Sequence, residues 1–366
     1  MPASFVGSLQ NVLQCDFENL TLNKETIKNP LLKENTFSVS RIEKYYDCPF
    51  KHFVDYALIL KPKFTIDIQK NDKGSFYHAI LEKFVKKYRE NLKEVSSDEI
   101  RKFVEKNLDA ILDFKQLEFL PDREIVRKEM KKDCIELCKR VVSEAKYSHF
   151  IPYRQEMSIV KKYELDGKEI ILKGKVDRLD CVGSDEGEKF RIIDYKTGNI
   201  SKNLYTELYY GKKVQLFIYS KVLREMLGQA PLGLYYFNAN PGYVTKETPI
   251  LEGVTLDGES IKDIDSRFND INYKESKIIK ATRKGDKIYY NSIDEKNLQT
   301  LEKYAFDISS QALRQMAEGN IKTSPTEKSC EFCKYRAICL YNANDGCSAI
   351  SSKKQEDLLK EDDQDE

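Results

Sequence analysis

Two short stretches of the sequence carry charged residues where a buried strand would end. GKVDRLD contains Asp177, and FRIIDYKTG contains Asp194 and Lys196 directly after Ile192 and Ile193. Because side chains alternate along a strand, Asp194 and Lys196 should point to the same face. An acid and a base on one face of a half-buried strand indicate either a catalytic site or a surface ion pair.

Strand pairing brings Asp177 to the same place. If GSDEGE, residues 183–188, joins two antiparallel strands, the numbers of opposite residues sum to about 371. Asp177 and Asp194 satisfy that sum, so their Cβ atoms should lie roughly 4.5–5.5 Å apart. Asp180 has the opposite parity and should point to the other face of the sheet. Two opposed acids are destabilising unless a cation lies between them, and Mg²⁺ or Mn²⁺ prefers such oxygen ligands.

Hydrolysis of a phosphodiester is the chemistry that these groups support. Carboxylates and a backbone carbonyl would bind the cation, and the ammonium of Lys196 would orient an attacking water or stabilise a developing oxyanion. In the alternative interpretation, Lys196 forms an ordinary ion pair with Asp194 and Asp177 has no special role.

The spacing of apolar residues predicts the elements that position these side chains. Helical spacing is found in residues 41–48, 74–91, 98–113, 123–147, 212–227 and 295–318, and alternation in 157–165, 168–180, 189–198 and 232–239. Cys134 and Cys138 lie on the apolar stripe of one helix, so we expect them to be small core residues rather than metal ligands.

At the acidic stretches the sequence resembles the PD-(D/E)XK nuclease superfamily, whose core carries an acid on one strand and a D/E-x-K on the next. Asp177 and the run DYK that begins at Asp194 match this pattern. The RecB-like branch adds a histidine on a preceding helix, matched by His78 in GSFYHAILE. It also adds a Q-x-x-x-Y pattern on the helix after the lysine, matched by Gln215 and Tyr219.

The resemblance implies a fold and a set of functional residues. The fold would be α/β with a restriction-endonuclease-like core, which is a central mixed sheet flanked by helices, with a helical insertion. The implied catalytic residues are Asp177, Asp194, Lys196, His78, Gln215 and Tyr219. The implied ligands of Mg²⁺ or Mn²⁺ are His78, Asp177, Asp194 and Tyr195.

Four cysteines narrow the resemblance. SCEFCKYRAIC spaces Cys330, Cys333 and Cys339 as C-x2-C-x5-C, and Cys48 lies far upstream in YYDCPFKHF. One cysteine before the nuclease core and three after it resemble the iron–sulfur staple of AddB-type nucleases, and FSVSRIEKYYDCPFKHFVDYAL and LGLYYFNANP also resemble that family. A [4Fe-4S] cluster is thus implied for the C-terminal segment. Four thiolates suit Zn²⁺ as well, and spacing alone does not separate the two.

Three regions are expected along the chain. Residues 1–36 would be a poorly defined extension, residues 37–345 the nuclease domain, and residues 346–366 an acidic, disordered tail. The sequence contains no phosphate loop of the G-x-x-x-x-G-K-[ST] type, so no ATP-driven motor is expected in it. The resemblance implies DNA as substrate and an AddA-like helicase–nuclease subunit as partner, acting on double-strand breaks in recombination.

Composition narrows the class of protein. The net charge of +1 gives no attraction of the whole protein to nucleic acid, so any basic surface must be local. The sequence starts without a signal peptide and has no apolar run of membrane-spanning length, which predicts a cytoplasmic protein with no membrane partner. Two alternatives stay open: a stand-alone exonuclease of the CRISPR-adaptation type, and a non-catalytic DNA-binding module that has kept the cluster.

Overall fold

A mixed sheet forms the centre of the protein, of which we analyse a computed structural model. The residues that the structure describes are 35–60, 70–111, 123–182, 189–198, 203–240, 248–257, 260–326, 329–331, 333–339, 341 and 349–362. The predicted extension up to residue 34 and the loop 183–188 lie outside them, as do Cys15 and Cys347.

Seven of the described strands belong to the central sheet. They are β1 (Thr36–Ser38), β2 (Ile151–Leu165), β3 (Lys168–Val182), β4 (Lys189–Lys196), β5 (Gly233–Asn238), β6 (Leu251–Leu256) and β9 (Ser292–Ile293). β3 pairs antiparallel with β2 and with β4, while β4 runs parallel to β5. β7 (Ala281–Lys284) and β8 (Lys287–Tyr290) form a separate hairpin.

Helices cover both faces of the sheet. They are α1 (Val39–Asp47), α2 (Pro49–Tyr56), α3 (Lys70–Tyr88), α4 (Ser97–Ile111), α5 (Arg123–Tyr147), α6 (Leu204–Tyr209), α7 (Gln215–Leu227), α8 (Ser260–Ile264), α9 (Glu295–Ala317), α10 (Arg336–Cys339) and α11 (Gln355–Asp362). The core between α1, α7, α9 and the sheet is separate from the core that α3, α4 and α5 form on the other face. The predicted α/β fold with a central mixed sheet flanked by helices is confirmed. Among the described helices, none has both the length and the hydropathy needed to cross a bilayer.

β4 is apolar along its length because both of its faces are covered. Phe190 and Ile192 pack in the core with α7, whereas Ile193 and Tyr195 pack in the core with α5. A strand buried on both faces reads as a continuous apolar run rather than an alternating one. Asp194 therefore emerges at the end of a fully buried segment, on the side of α7.

A buried network of four charges lies on the α5 side of the sheet. The side chains of Glu144, Arg178, Asp180 and Arg191 are fully buried. Arg178 donates to Glu144 at 2.8 Å and to Asp180 at 2.7 Å, and Arg191 donates to Asp180 at 2.9 Å and to Glu144. Asp180 thus points away from the face that carries Asp194, as its parity predicts.

Two predictions about the periphery have different outcomes. Cys134 and Cys138 are core residues, as expected, and burial raises the pKa of both thiols. Disorder over residues 346–366 is wrong for residues 355–362, which form α11. Leu358 is only 1% exposed in the core beside α9, so a single apolar pair in an acidic sequence suffices to dock this helix.

Candidate active site

A cleft of about 790 Å³ lies at the end of β4 and gathers most of the predicted site residues. Its lining includes His78, Asp177, Asp194, Tyr195, Lys196 and Gln215. Tyr219 lies behind Gln215, whose Nε2 donates to the Tyr219 hydroxyl at 3.0 Å. That hydroxyl also accepts from the backbone N–H of Lys175 at 3.1 Å, which links α7 to β3.

The register of β3 and β4 is the one predicted by the sum of 371. Arg178 pairs with Ile193 at the last rung of the ladder, and Asp177 and Asp194 follow directly beyond it. At this point the Asp177 side chain takes over from the backbone, since its Oδ2 accepts from the Tyr195 N–H at 2.7 Å. This bond fixes Asp177 against the end of β4 and leaves its other oxygen for a ligand.

Lys196 is held by two partners in the cleft. Its Nζ lies 2.6 Å from Asp194 Oδ2 and donates to Gln215 Oε1 at 3.1 Å. Gly174 in β3 makes room for this arrangement, because a Cβ there would lie 2.3 Å from Cε1 of Tyr219. The strand end, the ammonium and the start of α7 are therefore packed as one unit.

Burial dominates the electrostatics of Asp194, which is 2% exposed. Loss of solvent raises the pKa of the Asp194 carboxyl to about 6, although the charge of Lys196 acts in the opposite direction. Burial lowers the pKa of Lys196, but the carboxylates of Asp194 and Glu43 outweigh it and raise that pKa. At neutral pH the site therefore holds an ionised acid at a cost in folding free energy.

This cost predicts a pH-dependent effect of Asp194→Asn. A carboxyl whose folded pKa lies above its unfolded value stabilises the protein below the unfolded pKa of about 4 and loses that contribution as the pH rises through about 6. We expect Asp194→Asn to unfold with the same free energy as the parent protein near pH 4 and to be more stable by about 2–3 kcal/mol at pH 7.

Urea unfolding at several pH values, in the presence of a chelator, measures the difference. A difference in stability that stays constant from pH 4 to pH 8 would show that Asp194 titrates as an ordinary exposed acid. Asp263→Asn is the control, since Asp263 faces Lys189 and His149 outside this cleft.

His78 and Glu156 extend the acidic group toward β2. One ligand atom from each of His78, Glu156 and Asp177 lies within 4.8 Å of the others, an arrangement that fits a divalent cation. His78 Nδ1 is 3.3 Å from Asp177 Oδ2. Burial lowers the pKa of His78, but its hydrogen bond to Asp177 outweighs that effect and raises the pKa. With Asp194 beside them, these donors supply the oxygen and imidazole ligands that Mg²⁺ or Mn²⁺ accepts.

Glu156 is a site residue that the sequence analysis missed. It lies in β2 with a φ of +51°, near a register shift between Pro152 and Arg154, and it pairs with Lys175. The predicted strand began one residue later, so Glu156 fell outside it. The hairpin at Asp166–Gly167 carried the signal, because the rungs on either side of Glu156 sum to 333, as Glu156 and Asp177 do.

Tyr236 is a second residue that was missed. It is the β5 neighbour of Asp194 and lines the cleft, and Lys196 Nζ lies 5.3 Å from its ring centroid. Its hydroxyl is buried and has no hydrogen-bond partner among the described residues. A tyrosine in an apolar strand gives no sign of this from sequence, because the same pattern fits a core residue.

The four predicted cluster cysteines meet in a second, small cavity. Cys48, Cys330, Cys333 and Cys339 all line it, together with Tyr335. Burial raises the pKa of the Cys48 thiol, while backbone hydrogen bonds to it act in the opposite direction. The four described cysteines here are not in disulfides. Four convergent thiols fit a zinc ion or an iron–sulfur cluster, and the geometry of the protein alone does not choose between them.

Comparison with known proteins agrees with these observations. The family model described as "PD-(D/E)XK nuclease superfamily" matches residues 36–340. Three curated relatives are named as the B-type subunit of an "ATP-dependent helicase/deoxyribonuclease". The relative from Thermoanaerobacter sp. (strain X514) is 28% identical over 87% of this chain and 31% of its own length. The corresponding values are 28%, 90% and 32% for Clostridioides difficile (strain 630), and 30%, 90% and 32% for Clostridium kluyveri (strain NBRC 12016).

The extent of these matches defines what they show. The chain spans about a third of the length of the curated relatives that it matches. A solved structure titled "Crystal structure of SSO0001" aligns with 86% of this chain and 93% of that chain at 13% identity, but its TM-score of 0.31 is too low to carry a conclusion. The family model covers most of the chain, including the cleft and three of the four clustered cysteines together with Cys48. The chain belongs to the PD-(D/E)XK nuclease superfamily.

Proposed function

We propose that this chain is a metal-dependent deoxyribonuclease of the exonuclease type. The observation that carries the proposal is the convergence of Asp177, Asp194 and Lys196 in one cleft, with Lys196 Nζ 2.6 Å from Asp194. Family membership supports the reaction class, and the "deoxyribonuclease" in the names of the relatives supports DNA as the substrate.

The residues have separate roles in the proposed reaction. Asp177 and Asp194 would hold Mg²⁺ or Mn²⁺, with His78, Glu156 and the backbone carbonyl of Tyr195 as further donors. The bound cation would supply a Lewis acid for the phosphate oxygens. Gln215 holds Lys196 at the cleft, and Tyr219 in turn holds Gln215.

Lys196 is the group that faces the reacting atoms. Its pKa is raised by the acids around it, so it remains an ammonium at neutral pH. An ammonium can donate to the attacking water and to the phosphate oxygen on which charge develops, but it cannot remove a proton. The proton of the attacking water therefore passes to bulk solvent or to a neighbouring acid rather than to Lys196.

The proposed context is a helicase–nuclease that processes DNA breaks. The relatives are named as one subunit of a helicase/deoxyribonuclease, which supports a second subunit of the AddA type as partner. Within such an assembly this chain would supply the cutting site, and a motor in another part of the assembly would deliver the DNA strand to the cleft.

Digestion of defined DNA tests the proposal. Purified protein is incubated with linear single strands, linear duplex and covalently closed circles, with Mg²⁺, Mn²⁺ or a chelator. We expect the linear substrates to be degraded only with a divalent cation and the circles to resist. Degradation of circles would contradict the exonuclease assignment. Binding of DNA without degradation under every condition would favour a non-catalytic module instead.

We further propose that the four-cysteine cavity holds a [4Fe-4S] cluster, for which Cys330→Ser is the test. This variant removes one of four thiolates that join distant parts of the chain, so we expect loss of bound iron and of brown colour, and a lower unfolding midpoint. Metal analysis and an absorption spectrum of anaerobically purified protein measure the effect. Cys181→Ser, outside the cavity, should keep its iron. A colourless parent protein that contains zinc would contradict the cluster assignment.

A further inference from the structure

The catalytic helix α7 begins without a cap from its own sequence. Val214 precedes it and provides no side-chain hydrogen bond to the first turn. Instead, Glu43 of α1 accepts from the backbone N–H of Val214 at 3.0 Å and of Gln215 at 3.2 Å. Free N–H groups at the start of a helix need such acceptors, and a carboxylate is favoured there by the helix dipole.

Glu43 is well placed to fix the first residue of α7. It is 9% exposed, so its carboxylate has little competition from water. Its second oxygen lies 3.8 Å from Lys213 Nζ, which keeps the charge paired. Gln215, the residue that it caps, is also the residue that accepts from Lys196. A shift in the start of α7 would therefore move the partner of the catalytic ammonium.

α1 is joined at its other end to the segment that carries three of the clustered cysteines. The Tyr45 hydroxyl donates to the backbone oxygen of Asn320 at 3.5 Å, and Thr326 N–H donates to the backbone oxygen of Asp47 at 3.1 Å. Directly after α1, Cys48 enters the cysteine cavity. One nine-residue helix thus contacts the C-terminal segment on one side and the start of α7 on the other.

We propose that Glu43 is a positioning residue that couples the docking of the C-terminal cysteine segment to the placement of Lys196, acting through Gln215. This inference deepens the proposed nuclease function and rests on it. Its physical content is that loss of order in the cysteine segment loosens α1, frees the first N–H groups of α7 and lets Gln215 move away from Lys196.

Kinetics of a set of variants test the catalytic half of the proposal. We expect Glu43→Ala to lower kcat for DNA cleavage by about ten- to a hundredfold with KM changed less than about twofold, because misplacement affects the transition state more than binding. Glu43→Gln keeps an acceptor oxygen and should recover most of the loss. If Glu43 acts through Gln215, then Glu43→Ala should have no further effect in a Gln215→Ala background. Additive losses would overturn the proposal.

Glu302→Gln is the matched control. Glu302 is also a buried glutamate that contacts α7, through Ser220 and Arg224 on the side of α9. It should lower the unfolding midpoint as Glu43→Ala does, yet leave kcat within about twofold, since it touches neither Gln215 nor the cleft. An equal loss of kcat in both variants would show that general destabilisation, not positioning, is responsible.

Hydrogen exchange tests the coupling without using activity. The amides of Val214 and Gln215 should lose protection in Glu43→Ala and also in Cys330→Ser, while amides in the middle of α7 keep theirs. Unchanged protection in Cys330→Ser would overturn the coupling, even if the protein cleaves DNA. Conversely, a parent protein that fails to cleave DNA but shows the predicted loss of protection would reject the nuclease proposal and retain the coupling.

Discussion

Asp194→Asn and Lys196→Ala are each expected to lower the rate of DNA cleavage by at least about 10³-fold, while the protein stays folded. Asp194→Asn removes a charge from the proposed cation site, and Lys196→Ala removes the ammonium that faces the developing charge. Neither change opens the core, because both side chains end in the cleft. Rates measured with saturating cation, together with circular dichroism, separate loss of chemistry from loss of fold.

Asp263→Asn provides the control for both variants. Asp263 reproduces the same kinds of contact, with a lysine at 3.5 Å and a histidine at 3.2 Å, but it does not line the cleft. It should cleave DNA at the parent rate. Full activity in an Asp194→Asn, Lys196→Ala double variant would show that the cleft is not where cleavage occurs.

Glu144→Gln is expected to have the largest effect on stability, a loss of about 3–5 kcal/mol in the free energy of unfolding. Glu144 balances Arg178 and Arg191 in the buried charge network, and its removal leaves an excess positive charge with no access to water. Burying an unpaired charge costs far more than the net gain from forming the pair. Equilibrium unfolding in urea measures the loss.

A second variant distinguishes charge imbalance from lost packing. If imbalance is the cause, adding Arg191→Met to Glu144→Gln should destabilise the protein less than the sum of the two single changes, because the double variant keeps one acid and one arginine. Asp166→Asn, in the exposed pair with Arg314, should give no resolvable change in the unfolding midpoint. An equally small effect of Glu144→Gln would mean that water reaches the network.

Local patterns predicted the parts of this protein that depend on neighbouring residues in the chain. The register of β3 and β4 followed from the length of one loop, and it correctly placed Asp177 beside Asp194 and Asp180 on the opposite face. Burial of Cys134 and Cys138 followed from helical spacing alone. In each case the side-chain direction is set by a period of the backbone, which sequence displays directly.

Features that depend on distant residues were not predictable in the same way. Glu43 caps a helix that lies 171 residues further along the chain, and no period in the sequence relates the two. Glu156 was missed for a different reason, since a residue with positive φ interrupts the alternation that marks a strand. α11 was missed because acidic composition favours disorder, whereas Leu358 finds a contact that composition does not reveal.

The contacts between α1 and the end of the domain have a consequence for biosynthesis. About 275 residues separate Tyr45 from Asn320, so a ribosome that adds roughly 5–20 residues per second needs on the order of 15–50 s between them. A nascent chain that has released α7 already contains every acid of the cleft but not the segment that secures α1. Cleavage competence therefore comes last in translation, and prematurely terminated products would pose little threat to the chromosome.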